Sequence, residues 1–198
     1  GGPEKPQEAV NDLRTLLGEI AFPPVVMGHG MGARFALAVS AEQEITGSVL
    51  ISPDVTPYLS DFPRAMRLLR LRYLALLLMR RKILIRPTDF CELWLNTVPA
   101  KEQRDIIALL APEPPHMVRA LFERDIDLPK LWSPTLVLGG TADRVVPSPG
   151  TSGFARNIGA DYLEDNGRGH WLLENGDLVS RVHSWLVRTL GEDVQEPA

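Results

Sequence analysis

Val25-Val26-Met27-Gly28-His29-Gly30-Met31-Gly32-Ala33-Arg34-Phe35-Ala36-Leu37 is the stretch whose reading decides the fold. Pro23-Pro24 and a short apolar run lead into it, glycines alternate through its middle, and an apolar-periodic segment follows. That order reads as strand, very sharp turn, helix, with Gly30 at the apex. Such a turn exposes its apex residue in strained backbone geometry, and a side chain at Gly28 or Gly32 is expected to clash with the neighbouring strand or helix. A residue flanking the apex, such as His29, is expected to point away from it.

Composition limits what this turn can belong to. The 198 residues are 44% hydrophobic and 23% charged, which fits one soluble globular domain with a single sizeable core. A net charge of −4 argues against a nucleic-acid partner. The single cysteine, Cys91, leaves no internal disulfide or cysteine metal cluster, and neither a metal nor another cofactor is expected. Gly1 to Glu8 is polar and Pro-rich, and the longest apolar run, Tyr73 to Met79, is seven residues, so neither a signal peptide nor an integral membrane segment is expected. A cytoplasmic setting follows as the expectation.

Outward from the turn, Ala9, Val10, Leu13, Leu16, Leu17 and Ile20 recur at helical spacing before Phe22. Gly47 to Asp54 reads as a compact strand stopped by Pro53. From Thr56 to about Leu131 the pattern is helical, an insertion between two strands. In it Arg64, Arg67, Arg70, Arg72, Arg80, Arg81, Lys82 and Arg86 interleave with Leu68, Leu69, Leu71, Leu74, Leu76, Leu77 and Leu78. Such a segment suits a helix whose leucines cover the sheet while its arginines reach water. It also suits a membrane surface or an anionic carrier, such as the phosphopantetheine arm of coenzyme A or an acyl carrier protein. Some of Trp94, Leu95, Ile106, Ile107, Leu109, Leu110, Met117, Leu121 and Phe122 are expected to line an apolar pocket, with Cys91 as packing. Pro134 to Gly140 is a buried-type strand, followed by Thr141-Ala142-Asp143-Arg144-Val145-Val146-Pro147. A helix near Ser148 to Ile158, a short strand Ala160 to Leu163, the loop Asn166-Gly167-Arg168-Gly169-His170-Trp171 and a terminal helix complete the chain. His116 and His183 read as surface or satisfied residues.

Three features in this order, the glycine turn, a strand followed by Asp143, and a Gly-rich loop ending in His170, resemble the α/β-hydrolase fold superfamily, serine hydrolases and thioesterases among them. The resemblance implies a mostly parallel sheet, with a core at residues 1–55 and 132–198 and a helical lid at 56–131. It implies that Gly30 stands where the nucleophilic Ser belongs, that Asp143 is the orienting acid and His170, with Glu174 nearby, the general base, and that the Met31 N–H serves the oxyanion hole. Asp54, where some members of the fold carry the acid, reads instead as a turn residue. His29 and Trp171 are minor candidates for substrate contact, and a small apolar acyl-type group is the expected ligand. The spacing Gly28, Gly30, Gly32 is G-x-G-x-G and lacks the extra residue of a dinucleotide fingerprint.

Two departures shape the expectations. Without a nucleophile, acyl-enzyme hydrolysis should be absent or strongly impaired. The site is then an inactivated ester or thioester hydrolase, a non-hydrolytic enzyme using His170 and Asp143 as general base (isomerase, cyclase or lyase), or a ligand-binding pseudoenzyme. The strands that precede the first helix in the family do not occur here. The sheet is therefore expected to be truncated on its N-terminal side and completed beside Val25 to Met27 by a further segment, a subunit or a swapped strand.

Overall fold

The computed structural model describes residues 3–54, 64–120, 131–173 and 176–191, without the side chains of 64–67 and 70. The amphipathic N-terminal segment forms α1 (Pro6–Gly18), started by Pro at the first turn and by Glu8, whose carboxylate accepts the Lys5 N–H at 3.2 Å. The opening stretch folds as β1 (Val25–His29) and α2 (Met31–Ser40) with Gly30 between them. β2 (Gly47–Ile51) follows. Four helices then separate it from the next strand: α3 (Arg64–Leu78), α4 (Pro87–Leu93), α5 (Ala100–Ile107) and α6 (Pro115–Ala120). β3 (Thr135–Gly140), α7 (Ser148–Ile158), β4 (Asp161–Asp165) and α8 (Gly176–Leu190) complete the described order.

The strands pair in the order β1-β2-β3-β4, every pair parallel, with Val25 opposite Gly47, Val49 opposite Leu136 and Leu138 opposite Leu163. Strand alternation divides the core between the two faces. Val26, Leu50 and Val137 pack with Val10 of α1, Ala36 of α2 and Phe154 of α7. Val49, Ile51, Leu136 and Leu138 face Leu178, Val182 and Trp185 of α8, which is pinned by the Trp185 Nε1–H donating to Asp161 at 2.7 Å. β2 and β3 are buried along their whole length, as their unbroken apolar runs require.

β1 is an edge among the described residues, and Met27, on the face α8 covers elsewhere, is 53% exposed. The inner side of α3 buries Leu69 and Tyr73, while Leu68, Leu71 and Leu78 face outward. Arg72 of the basic segment forms an ion pair with Asp89 of α4, and Lys82 lies 3.8 Å from Glu4. Cys91 is a partly buried free thiol on α4. No helix of the described residues is long and apolar enough to cross a membrane.

Candidate active site

The site forms at the carboxyl ends of β1 and β3. Gly30 turns the chain from β1 into α2 at φ 56° and ψ −120°, with its N–H donating to the Ile51 carbonyl at 3.0 Å. This backbone region costs an L-residue about 1–3 kcal/mol, a cost that glycine at the apex does not incur. The requirement for glycine differs between the flanks. A Cβ on Gly28 would stand 2.4 Å from the Gly32 carbonyl oxygen and 2.7 Å from the Ala33 Cα, whereas one on Gly32 would meet no described atom within 4 Å beyond its chain neighbours and its own helix backbone. The expected clash therefore holds for Gly28, where strand and helix touch, and not for Gly32, which faces open space.

Among the described residues, its two chain neighbours aside, a Cβ on Gly30 would have one neighbour within 4 Å, His170 Nε2 at 3.5 Å. The other ring nitrogen, Nδ1, donates to Asp143 Oδ2 at 2.9 Å. Because a carboxylate only accepts, Nδ1 carries a proton, and in the neutral ring the lone pair is on Nε2, toward Gly30. The second Asp143 oxygen accepts the N–H groups of Val145 at 2.7 Å and Val146 at 2.8 Å, locking the carboxylate in the turn after β3. Both side chains are buried. The structure thus brings Gly30, Asp143 and His170 together, with Met31 as the first residue of α2, where a backbone N–H has no intrahelical acceptor. Glu174 lies outside the described residues.

The carboxylate on His170 Nδ1 is that of Asp143, and Asp54 has other partners. It is buried, its N–H donates to the Gly30 carbonyl at 3.1 Å, and its carboxylate lies 3.5 Å from Arg34 Nη1. It braces the elbow from below. His29 does not point away from the site as its flanking position suggests. Its ring centroid is 5.0 Å from that of His170, and its Nε2 lies 3.0 Å from the His170 carbonyl oxygen, which makes Nε2–H the donor. Burial, aided by the neighbouring His170, pushes its pKa down to about 4, so the ring is neutral at physiological pH.

Over the elbow lies a cavity of about 280 Å³, lined by Met31, Leu69, Tyr73, Leu77, Phe90, Trp94, Met117 and Trp171 among others, with Asp54 and Glu113 as carboxylates on an otherwise apolar wall. Trp94 meets the His170 ring edge-on and stacks on Phe90. Of the residues expected from the insertion, Trp94 and Met117 reach the cavity and Leu109 is exposed, while Leu121 and Phe122 lie outside the described residues. Asn96 and Thr97, which touch the loops carrying Asp143 and His170, had no signal in the sequence because their partners are distant backbone atoms.

A parallel sheet, a glycine elbow at the end of one strand, an acid after a later strand and a loop-borne histidine define an α/β-hydrolase site. Residues 1–182 match the alpha/beta hydrolase family, and the chain belongs to it. Similar solved structures include a monoacylglycerol lipase from Paleococcus ferrophilus (20% identity, 94% of this chain and 75% of that one, TM-score 0.65). An esterase from Exiguobacterium antarcticum is 18% identical, over 96% of this chain and 75% of its own, with TM-score 0.68. A putative non-heme bromoperoxidase from Mycobacterium tuberculosis is likewise 18% identical over 94% and 75%, with TM-score 0.68. At these identities the likeness is one of fold. No curated protein matches the chain significantly.

Proposed function

We propose that this chain carries an ester- or thioester-hydrolase site in which the base and its orienting acid are kept and the nucleophile is replaced by Gly30. The observation that carries this reading is the 3.5 Å approach of His170 Nε2 to the position a Gly30 Cβ would take. In a serine hydrolase that nitrogen takes the Ser proton, the Ser oxygen attacks the acyl carbon, and backbone N–H groups, here that of Met31, stabilise the oxyanion. Gly30 has no hydroxyl, so the acyl-enzyme step is absent and only weak activity from the remaining groups is expected. The helices between β2 and β3 act as a lid whose inner face supplies an acyl pocket, and the basic stretch through Arg72, Arg80 and Arg81 is a contact for an acyl carrier or coenzyme A. The single thiol fits a reducing, cytoplasmic setting.

A second reading rests on the same lone pair. With no other atom of the described residues, the two chain neighbours aside, within 4 Å of the missing side chain, the buried His170–Asp143 pair faces the cavity as a base able to take a proton from a bound ligand. That is isomerase, cyclase or lyase chemistry. A pseudoenzyme would keep the pocket and do neither.

Gly30→Ser, assayed with short and long acyl esters and thioesters, separates the three. A rise of about a thousandfold or more that also needs His170 and Asp143 is the expected result. Turnover by the unaltered chain that the serine does not improve favours the non-hydrolytic base. Tight binding of a ligand with no turnover by either form favours the pseudoenzyme.

A further inference from the structure

The turn between α4 and α5 belongs to the helices that separate β2 from β3, yet it reaches both loops of the site. Its shape is set from within. Leu95 and Val98 are buried, and Gln103 of α5 donates from Nε2 to the Leu95 carbonyl at 3.1 Å and the Val98 carbonyl at 2.8 Å. Between these two anchors stand the polar residues Asn96 and Thr97. Asn96 Nδ2 donates to the carbonyl of Ala142 at 2.9 Å, one residue before Asp143. Thr97 Oγ1 accepts the N–H of Gly169 at 2.9 Å, one residue before His170. The two loops are also joined directly, by the Ala142 N–H donating to the Arg168 carbonyl at 2.8 Å.

The fit at Gly169 is close. A Cβ there would stand 2.3 Å from Asn96 Oδ1 and 3.0 Å from Thr97 Oγ1, so the backbone of the histidine loop rests directly on both side chains. Apolar packing of Leu95 and Val98 would bury the turn without either polar contact. What the two side chains add is direction: Asn96 fixes the Ala142–Asp143 peptide, and Thr97 fixes the Arg168–Gly169 peptide, one peptide ahead of the one that leads into His170. Displacement of reacting groups by about 1 Å costs on the order of a hundredfold in rate, so peptides at these two points have leverage on the chemistry.

We infer that Asn96 and Thr97 are positioning residues for the Asp143–His170 pair. From the turn at 94–98 they hold the acid loop and the base loop in register, so the inserted helices set the geometry of the base as well as walling the cavity. This rests on the proposed reading of His170 as the working base. Neither residue lines the cavity, and both act through backbone groups.

Two measurements test it. In the Gly30→Ser background, Thr97→Val and Asn96→Ala are each expected to lower kcat for ester hydrolysis roughly tenfold to a hundredfold, with KM within about twofold, while Thr97→Ser stays near the parent. In the chain with Gly30 in place, the His170 Nδ1–H proton resonance, assigned by its loss in His170→Gln, is expected to move and to exchange faster with water in Thr97→Val than in Thr97→Ser. A Thr97→Val form with parental kcat and an unchanged Nδ1–H resonance overturns the inference. So does a loss confined to KM, or an equal loss in Thr97→Val and Thr97→Ser. Should Asn96→Ala fail to fold, the Thr97 pair decides alone. If Gly30→Ser gives no hydrolysis, the functional reading fails, and the resonance still decides whether the turn positions His170.

Discussion

His29 shows how much a single half-buried ring does beside His170 at the wall of the cavity. Its Nε2–H donates to the carbonyl of His170, steadying the peptide beside that ring, and its own pKa is held near 4 by burial. The unfolded chain takes up a proton at this ring below about pH 6.5, whereas the folded chain resists until about pH 4. The contribution of His29 to stability is therefore intact above pH 6.5 and is lost as the pH falls toward 4, a total of about 3 kcal/mol. Urea unfolding at stepped pH across that window should show the decline in the parent and a flatter profile in His29→Gln, which keeps a neutral donor. Identical slopes in both would contradict the role given to His29. The same logic separates the two candidate acids. Asp143 spends one oxygen on His170 and the other on two backbone N–H groups, while Asp54 faces Arg34 and the elbow.

At the scale of elements, the β1–α2 elbow is the part that sequence reads best, because its chemistry is local. Glycine at an apex of positive φ, an apolar run before and a helical period after are all visible in neighbouring residues. The two flanking glycines look equivalent in sequence and are not equivalent in space. Gly28→Ala should cost well over 2 kcal/mol, because backbone atoms of Gly32 and Ala33 block the new methyl group. Gly32→Ala should instead gain up to about 1 kcal/mol, because the methyl group enters open space on a helix. Thermal unfolding of the two variants checks the contrast, and equal effects would contradict the packing described. The acid turn and the histidine loop were legible for a similar reason: each follows a recognisable element. Asn96, Thr97 and the inward turn of His29 were not, since each is defined by a hydrogen bond to backbone far away in the chain. Leu172, in the loop before α8, packs in the α8 core without being part of the helix.

For the molecule as a whole, one side of the sheet is unevenly covered. α8 packs over β2 and β3, whereas Met27 on β1 is more than half exposed beside an edge with no strand beyond it among the described residues. An open apolar edge of this kind is a template for pairing. The chain in isolation is therefore expected to associate as its concentration rises, and Met27→Lys is expected to weaken that association in sedimentation velocity. A chain that stays monomeric throughout, with β1 amides exchanging freely, would contradict the expectation that another strand completes the sheet.

The central claim, that Gly30 occupies a nucleophile position against an intact base, is tested most directly by covalent capture. A fluorophosphonate ester, which forms a stable bond with an activated serine and with little else, is incubated with the parent, Gly30→Ser, and Gly30→Ser with His170→Ala. Intact-mass spectrometry should find one adduct, on position 30, in Gly30→Ser alone, because only there do a hydroxyl and the His170 lone pair meet. An unlabelled Gly30→Ser chain that is folded, or labelling that persists without His170, would contradict the account.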